Sequence, residues 1–333
     1  MAQGIVAASD DGYVRFYTRD LTKVYWERRV DSSVYASLVV DAARGHVIVA
    51  ATSGMVVCFD LRGRTVWSAD TGSPVFATPA VSPDAGLLAI SAFHSRFVGL
   101  DLATGALVID RRLPEPWHAR HGGSASYRDP YASPVITEFG DVIIGCAEHV
   151  LCLAPDGEQR WQYTIGRSIR ASPAAIHETG EVAVCAVDGT CTFLDSRSGR
   201  ERATLRLGSK VTASPAVSGQ ILAIGTQDDV TTGVDVRTHE IRWRSSQGGP
   251  RSYTSFSVLP GGDFIATTGR GNVLCLRRDD GLFLWETSQV LGLPDHDPTL
   301  DITPMASPQG YLYCASYSGY LYCFGFAPVE EAA

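Results

Sequence analysis

Ala171-Ser172-Pro173-Ala174, then Val182-Ala183-Val184-Cys185, Asp188-Gly189 and Cys191-Thr192-Phe193-Leu194-Asp195, closing on Gly199: this stretch decides the architecture. Two short apolar runs flank Asp-Gly, a pair that tolerates the positive φ of a tight hairpin turn. Proline after a small residue fits a strand where ladder pairing is interrupted. The unit reads as four antiparallel strands, A to D, with the small-residue strand A innermost.

The same unit recurs along the whole chain. Inner-strand copies read Ala77-Thr78-Pro79-Ala80-Val81, Ala132-Ser133-Pro134-Val135 and Ala213-Ser214-Pro215-Ala216-Val217. Weaker copies are Ala36-Ser37-Leu38-Val39, Thr254-Ser255-Phe256-Ser257 and Thr303-Pro304-Met305-Ala306. Strand D carries tryptophan four residues after a turn residue: Gly63 to Trp67, Gly157 to Trp161, His239 to Trp243 and Gly281 to Trp285. Two copies keep the turn and lose the ring, at Gly105 to Ile109 and Gly199 to Ala203. A period of about forty residues built from short strands is the mark of a propeller. Seven inner-strand signatures argue for seven blades. The ends supply three strands each, B to D over residues 4–30 and A to C over 302–325, which argues for eight. The expected fold is all-β: one propeller domain over 1–333, with insertions at 113–130 and 290–301.

The repeat resembles the pyrroloquinoline-quinone-like β-propeller family, through Ser-Pro-Ala-Val, Asp-Gly followed by an apolar run ending in Leu-Asp, and Gly-x-x-x-Trp. That resemblance implies tryptophans docked between neighbouring blades. Relatives include quinoprotein dehydrogenases, the scaffold propeller of the outer-membrane assembly machine and propellers fused to adenylate-forming enzymes, so it speaks to fold more than to function. In the dehydrogenases the quinone stacks on a disulfide of adjacent cysteines over calcium. No two of the eight cysteines here are adjacent, so that cofactor is not expected.

The bulk numbers narrow the partners. The 333 residues are 45 % hydrophobic and 19 % charged, enough apolar material for a core. A net charge of −8 repels phosphate backbones, so nucleic acid is not expected. No apolar run approaches bilayer length and no export signal is visible, so the expected setting is cytoplasmic, off the membrane. Cys58, Cys152, Cys191, Cys275 and Cys323 share one strand of the repeat, and with no CxxC pair they read as reduced core residues. Cys146/Cys152 and Cys185/Cys191 share a six-residue spacing.

In such a blade the D–A loops and B–C turns emerge at one end, here called the top. His94, His118, His121, His149 and His296 fall there. So do both insertions, which carry Trp117, Tyr127, Arg128 and Asp129 in the first and Asp295, Asp297 and Asp301 in the second. Long loops in compact domains are usually functional or disordered. His118, His121, His296, Asp295, Asp129 and Tyr127 have the chemistry of proton transfer, and the His and Asp donors suit a divalent metal. The plainer reading is solvated histidines and turn-capping aspartates. Arg128, Tyr131, Arg167, Arg170, Arg251 and Tyr253, with Trp117, His94 and His149, suit a small anionic or aromatic ligand. Lys210 belongs to the same rim as Arg167, Arg170, Arg251 and Tyr253, and Tyr35 and Phe76 stand at equivalent points. Two functions remain open: a non-catalytic module binding a ligand or protein on the top, or a biosynthetic lyase, cyclase or hydrolase with its site there.

Overall fold

The structure is a computed structural model and describes residues 4–114, 132–249 and 254–325. It is an eight-bladed β-propeller. Among the described residues thirty strands form eight antiparallel sheets, six of four strands and two of three. Sheet 1 covers residues 4–29 and sheet 8 residues 305–325, and each has three strands. Between them lie sheet 2 (39–70), sheet 3 (80–112), sheet 4 (135–164), sheet 5 (174–206), sheet 6 (216–245) and sheet 7 (257–286). Both terminal sets of three strands thus make blades of their own, and the blade count is eight.

The chain's contacts gather into two compact units. One holds Gly4–Tyr17 and Val24–Thr212; the other holds Thr18–Lys23 with the described residues from Ala213 onward. Within the first, the alternation of each strand puts apolar residues between sheets. Ile48, Val56, Cys58, Leu88, Ile90, Val98 and Leu100 form one such layer, each under 2 % exposed. The seven cysteines of strands B and C up to Cys314 are buried, and all eight are free thiols.

The Gly-x-x-x-Trp spacing has a two-sided cause. Four of the strand-D indoles, those of Trp26, Trp67, Trp161 and Trp243, lie on the C–D turn of the following sheet and donate Nε1–H to its backbone. Trp26 reaches the Leu61 carbonyl at 3.0 Å, Trp161 that of Ser196 at 2.9 Å and Trp243 that of Arg278 at 2.9 Å. The receiving glycine has no room for a side chain: a Cβ on Gly199 would stand 2.5 Å from Trp161, and one on Gly281 2.3 Å from Trp243. Both also sit at positive φ. The docking that the resemblance implied is therefore built into the repeat.

A second latch runs along the inner strands. The Ser37 amide donates to the Thr78 hydroxyl (3.0 Å), that of Thr78 to Ser133 (2.9 Å) and that of Ser133 to Ser172 (2.9 Å). The other unit repeats it, Ser214 to Ser255 and Ser255 to Thr303, both at 3.1 Å. The chemistry of this position is a hydroxyl acceptor for an inner-strand amide that would otherwise lack a partner.

Sheet 8 meets the turn at residues 18–23. Tyr313 donates its hydroxyl hydrogen to the Arg19 carbonyl at 2.7 Å, and Cys323 approaches the same oxygen at 3.4 Å.

Candidate functional site

The tops of sheets 2, 3 and 5 are each held by a backbone strap between the B–C turn and the D–A loop before it. Thr52 N–H donates to the Ser33 carbonyl (2.9 Å), Phe93 to Pro74 (2.8 Å) and Val187 to Ser168 (2.8 Å). Two residues beyond each acceptor stand Tyr35, Phe76 and Arg170, so one fixed geometry presents three different side chains at the entry to strand A.

On sheets 2 and 3 the result, among the described residues, is a stack of three aromatic rings. Tyr35 and Phe76 have centroids 5.4 Å apart with an interplanar angle of 30°; Phe76 and Phe93 are 4.6 Å apart at 20°. Phe76 and Phe93 are half-buried, while Tyr35 at the end of the stack is 61 % exposed. Offset stacking of this kind leaves an outer ring face open to a further flat or apolar group.

The neighbouring polar side chains are engaged within the fold. His94, next to Phe93 and at φ 61°, places Nδ1 3.4 Å from the Ser73 hydroxyl. Arg96 forks onto both oxygens of Asp110 at 2.8 and 2.7 Å and donates to the Thr71 carbonyl. Arg167 and Arg206 both reach Asp188, at 3.1 and 3.3 Å. Burial works to raise the Asp188 carboxyl, but Thr190 and the two arginines outweigh it and hold the group below its ordinary value. His149 pairs Nδ1 with the Thr164 hydroxyl at 3.0 Å, and its Nε2 lies 3.6 Å from Glu148. Arg170 is also partnered.

The second insertion is structured, in the other unit. Strand D of sheet 7 runs straight into a short helix, Thr287–Leu291, which Gly292 ends in the left-handed region at φ 64°. The loop then returns, and the Leu300 amide donates to the Gly271 carbonyl at 3.0 Å. Thr287 accepts the Val273 amide (3.1 Å), and its hydroxyl shares a hydrogen bond with Nε2 of His296 at 3.0 Å. The imidazole packs against both Tyr322 and Phe324, with centroids 6.1 and 5.5 Å away. Burial there lowers the His296 pKa against the attraction of Asp295, which keeps the ring neutral at neutral pH. Asp295 itself accepts from Nδ2 of the fully buried Asn272 at 2.6 Å. Asp301, also buried, accepts from the Tyr317 amide (3.2 Å) and the Thr299 hydroxyl (3.1 Å).

Of the residues singled out from sequence, His296, Asp295, Arg167, Arg170, His94 and His149 are therefore placed. Asp295 and His296 are neighbours in the chain, yet one is hydrogen-bonded to Asn272 in the B–C turn of sheet 7 and the other to Thr287 at the start of the helix. Trp117, His118, His121, Tyr127, Arg128, Asp129, Tyr131, Arg251 and Tyr253 lie outside the described residues. Among the described residues no three His, Cys, Asp or Glu side chains converge as metal ligands, and no helix is long and apolar enough to cross a membrane. Phe93 was not anticipated. Its signal was available in the sequence: an aromatic residue directly after strand B, where other copies carry small or polar ones. A notch of about 320 Å³ at the opposite end of sheets 6 and 7 is lined by ions that neutralise each other, Arg242 with Asp235 and Arg278 with Asp279.

The repeat, the docked indoles and the eight sheets match a known family. The profile described as outer membrane protein assembly factor BamB aligns with residues 2–148 and again with 146–328. The chain belongs to that family. Among solved structures, BamB from Moraxella catarrhalis superposes with a TM-score of 0.77 at 18 % identity, covering 98 % of this chain and 95 % of that one. The computationally designed Ika8 protein gives 0.77 at 15 % identity, covering 97 % and 93 %. A europium-containing methanol dehydrogenase gives 0.71 at 13 % identity, covering 94 % and 80 %. A curated relative, the beta-alanine-activating enzyme of Danio rerio, is 28 % identical over 117 residues, which is 32 % of this chain and only 10 % of that protein. At these identities the structures share the fold, and the fold is what they establish.

Proposed function

We propose that this propeller is a non-catalytic binding module whose partner docks on the top of sheets 2 and 3, with the Tyr35–Phe76–Phe93 stack as the anchor. The observation that carries the reading is a division of labour among side chains. The placed histidines and arginines spend their hydrogen bonds on the fold, whereas Tyr35 presents an open aromatic face from a backbone strapped in place. Rigid aromatic anchors on a pre-formed surface are the usual energetic centre of an interface. A protein partner inserting an apolar or aromatic side chain fits this surface. The family's protein-interaction propellers are consistent with that class of role.

The test is affinity purification of the tagged chain from its own host, compared with Tyr35→Ala, Phe76→Ala and, as a control on the outer strand of sheet 1, Tyr25→Ala. The proposal expects one defined partner to be retained by the wild type and by the Tyr25 variant and to be lost from the other two. Retention by all four proteins would refute it.

A further inference from the structure

We propose that Cys185 and Cys191, which face each other across the sheet 5 hairpin, are a two-electron thiol–disulfide couple that closes to a cross-strand disulfide under hydrogen peroxide.

The placement follows from register. Strands Glu181–Cys185 and Thr190–Asp195 pair antiparallel with Cys185 directly opposite Cys191. The Ala186 amide donates to the Thr190 carbonyl at 2.8 Å, so 186/190 is a hydrogen-bonded pair. The next pair inward, 185/191, is then the non-hydrogen-bonded kind, where Cα atoms stand about 4.5 Å apart and side chains come closest. A disulfide spans Cα separations of about 4.4–6.8 Å, so closure requires side-chain rotation rather than a backbone shift.

Packing alone does not call for two sulfurs here. At the same register other sheets pair Ala50 with Val56, Thr267 with Val273 and Ala315 with Leu321. Nor does spacing in the chain create the pair. Cys146 and Cys152 are also six residues apart, but the shorter turn of sheet 4 sets Cys146 opposite His149 and Cys152 opposite Ile143.

The chemistry balances with peroxide as the oxidant. One sulfur attacks a peroxide oxygen, the O–O bond breaks, and a sulfenic acid and one water result. The second sulfur displaces the hydroxyl as another water while the S–S bond forms. Two thiol hydrogens and two electrons leave the protein for the two oxygens. Both cysteines are fully buried, and the Cys191 thiol is pushed well up by its Cys185 neighbour and by burial. The couple is accordingly slow and selective for small oxidants. Its closure would pin the base of the turn that presents Asp188 to Arg167 and Arg206.

Trypsin releases residues 171–197 as one peptide containing both cysteines and no other, and residues 129–160 as one peptide containing Cys146 and Cys152. The folded full chain is treated with hydrogen peroxide, unfolded in an alkylating reagent and digested without reductant. The proposal expects the 171–197 peptide lighter by two hydrogens and unalkylated, restored to two alkylated thiols by dithiothreitol, while 129–160 carries two alkylated thiols. Cys185→Ala should leave Cys191 as a thiol or sulfenic acid, never a disulfide within that peptide. Two free thiols in 171–197 after treatment, or equal disulfide in both peptides, would overturn it.

Discussion

The top of sheets 2 and 3 and the loop over sheets 7 and 8 are built from the same kind of connection, yet they use it in opposite ways. In the first, a short D–A loop is strapped by one backbone hydrogen bond and turns Tyr35 outward. In the second, a longer loop folds back and ties His296 to Thr287, Asp295 to Asn272 and Leu300 to Gly271. The reactive-looking residues brace the scaffold, and the plain aromatic residues are the ones presented. Residue type alone is a poor guide to which surface does the binding; what each polar group is already bonded to is the better one.

The comparison assumes that both regions rest on equally firm sheets, and the largest expected effects test that. Trp67→Ala beneath the first region and Trp243→Ala beneath the second should each cost about 3–5 kcal/mol, read from urea unfolding. A marked inequality would mean that one surface sits on a looser support. Next comes the brace. Asn272→Ala removes a buried hydrogen bond to a carboxylate and should cost about 2 kcal/mol, whereas loss of an exposed ring in Tyr35→Ala should stay within about 0.5 kcal/mol. If Tyr35→Ala proves as costly as Asn272→Ala, the aromatic stack is structural too.

The smallest effect is a pH dependence. His296 has a folded pKa below its ordinary 6.5, so below that pH the unfolded chain takes up the proton more readily than the native one. Its contribution to stability is present above pH 6.5 and is lost as pH falls through that value towards the folded pKa. Thermal melts between pH 7 and 5 should therefore fall more steeply for the wild type than for His296→Gln. Parallel curves would place the imidazole in solvent and remove the bracing role.

The sequence carried the fold because it is written redundantly: Gly63 with Trp67, Gly281 with Trp285 and the Ala-Ser-Pro copies each report the same unit. Blade number was undecided because the terminal strands carry no label saying which sheet they join. The site was less legible. Asp295 finds Asn272 and Thr287 finds His296 through the return of one loop onto another hairpin, and no spacing encodes that. The cysteine pairs make the point most sharply, since identical six-residue separations give facing sulfurs in one hairpin and not in the other, the turn length deciding the register. Tyr35 was visible at its repeat position, but only its exposure separates it from buried rings.

A photo-crosslinking amino acid placed at Tyr35, with the same residue at Tyr25 for reference, probes the binding surface most directly. Irradiated in the native host, the Tyr35 site should join the chain to one defined protein, with no counterpart from Tyr25. Adducts absent at Tyr35, or equally abundant at both positions, would contradict the assignment of sheets 2 and 3 as the docking face.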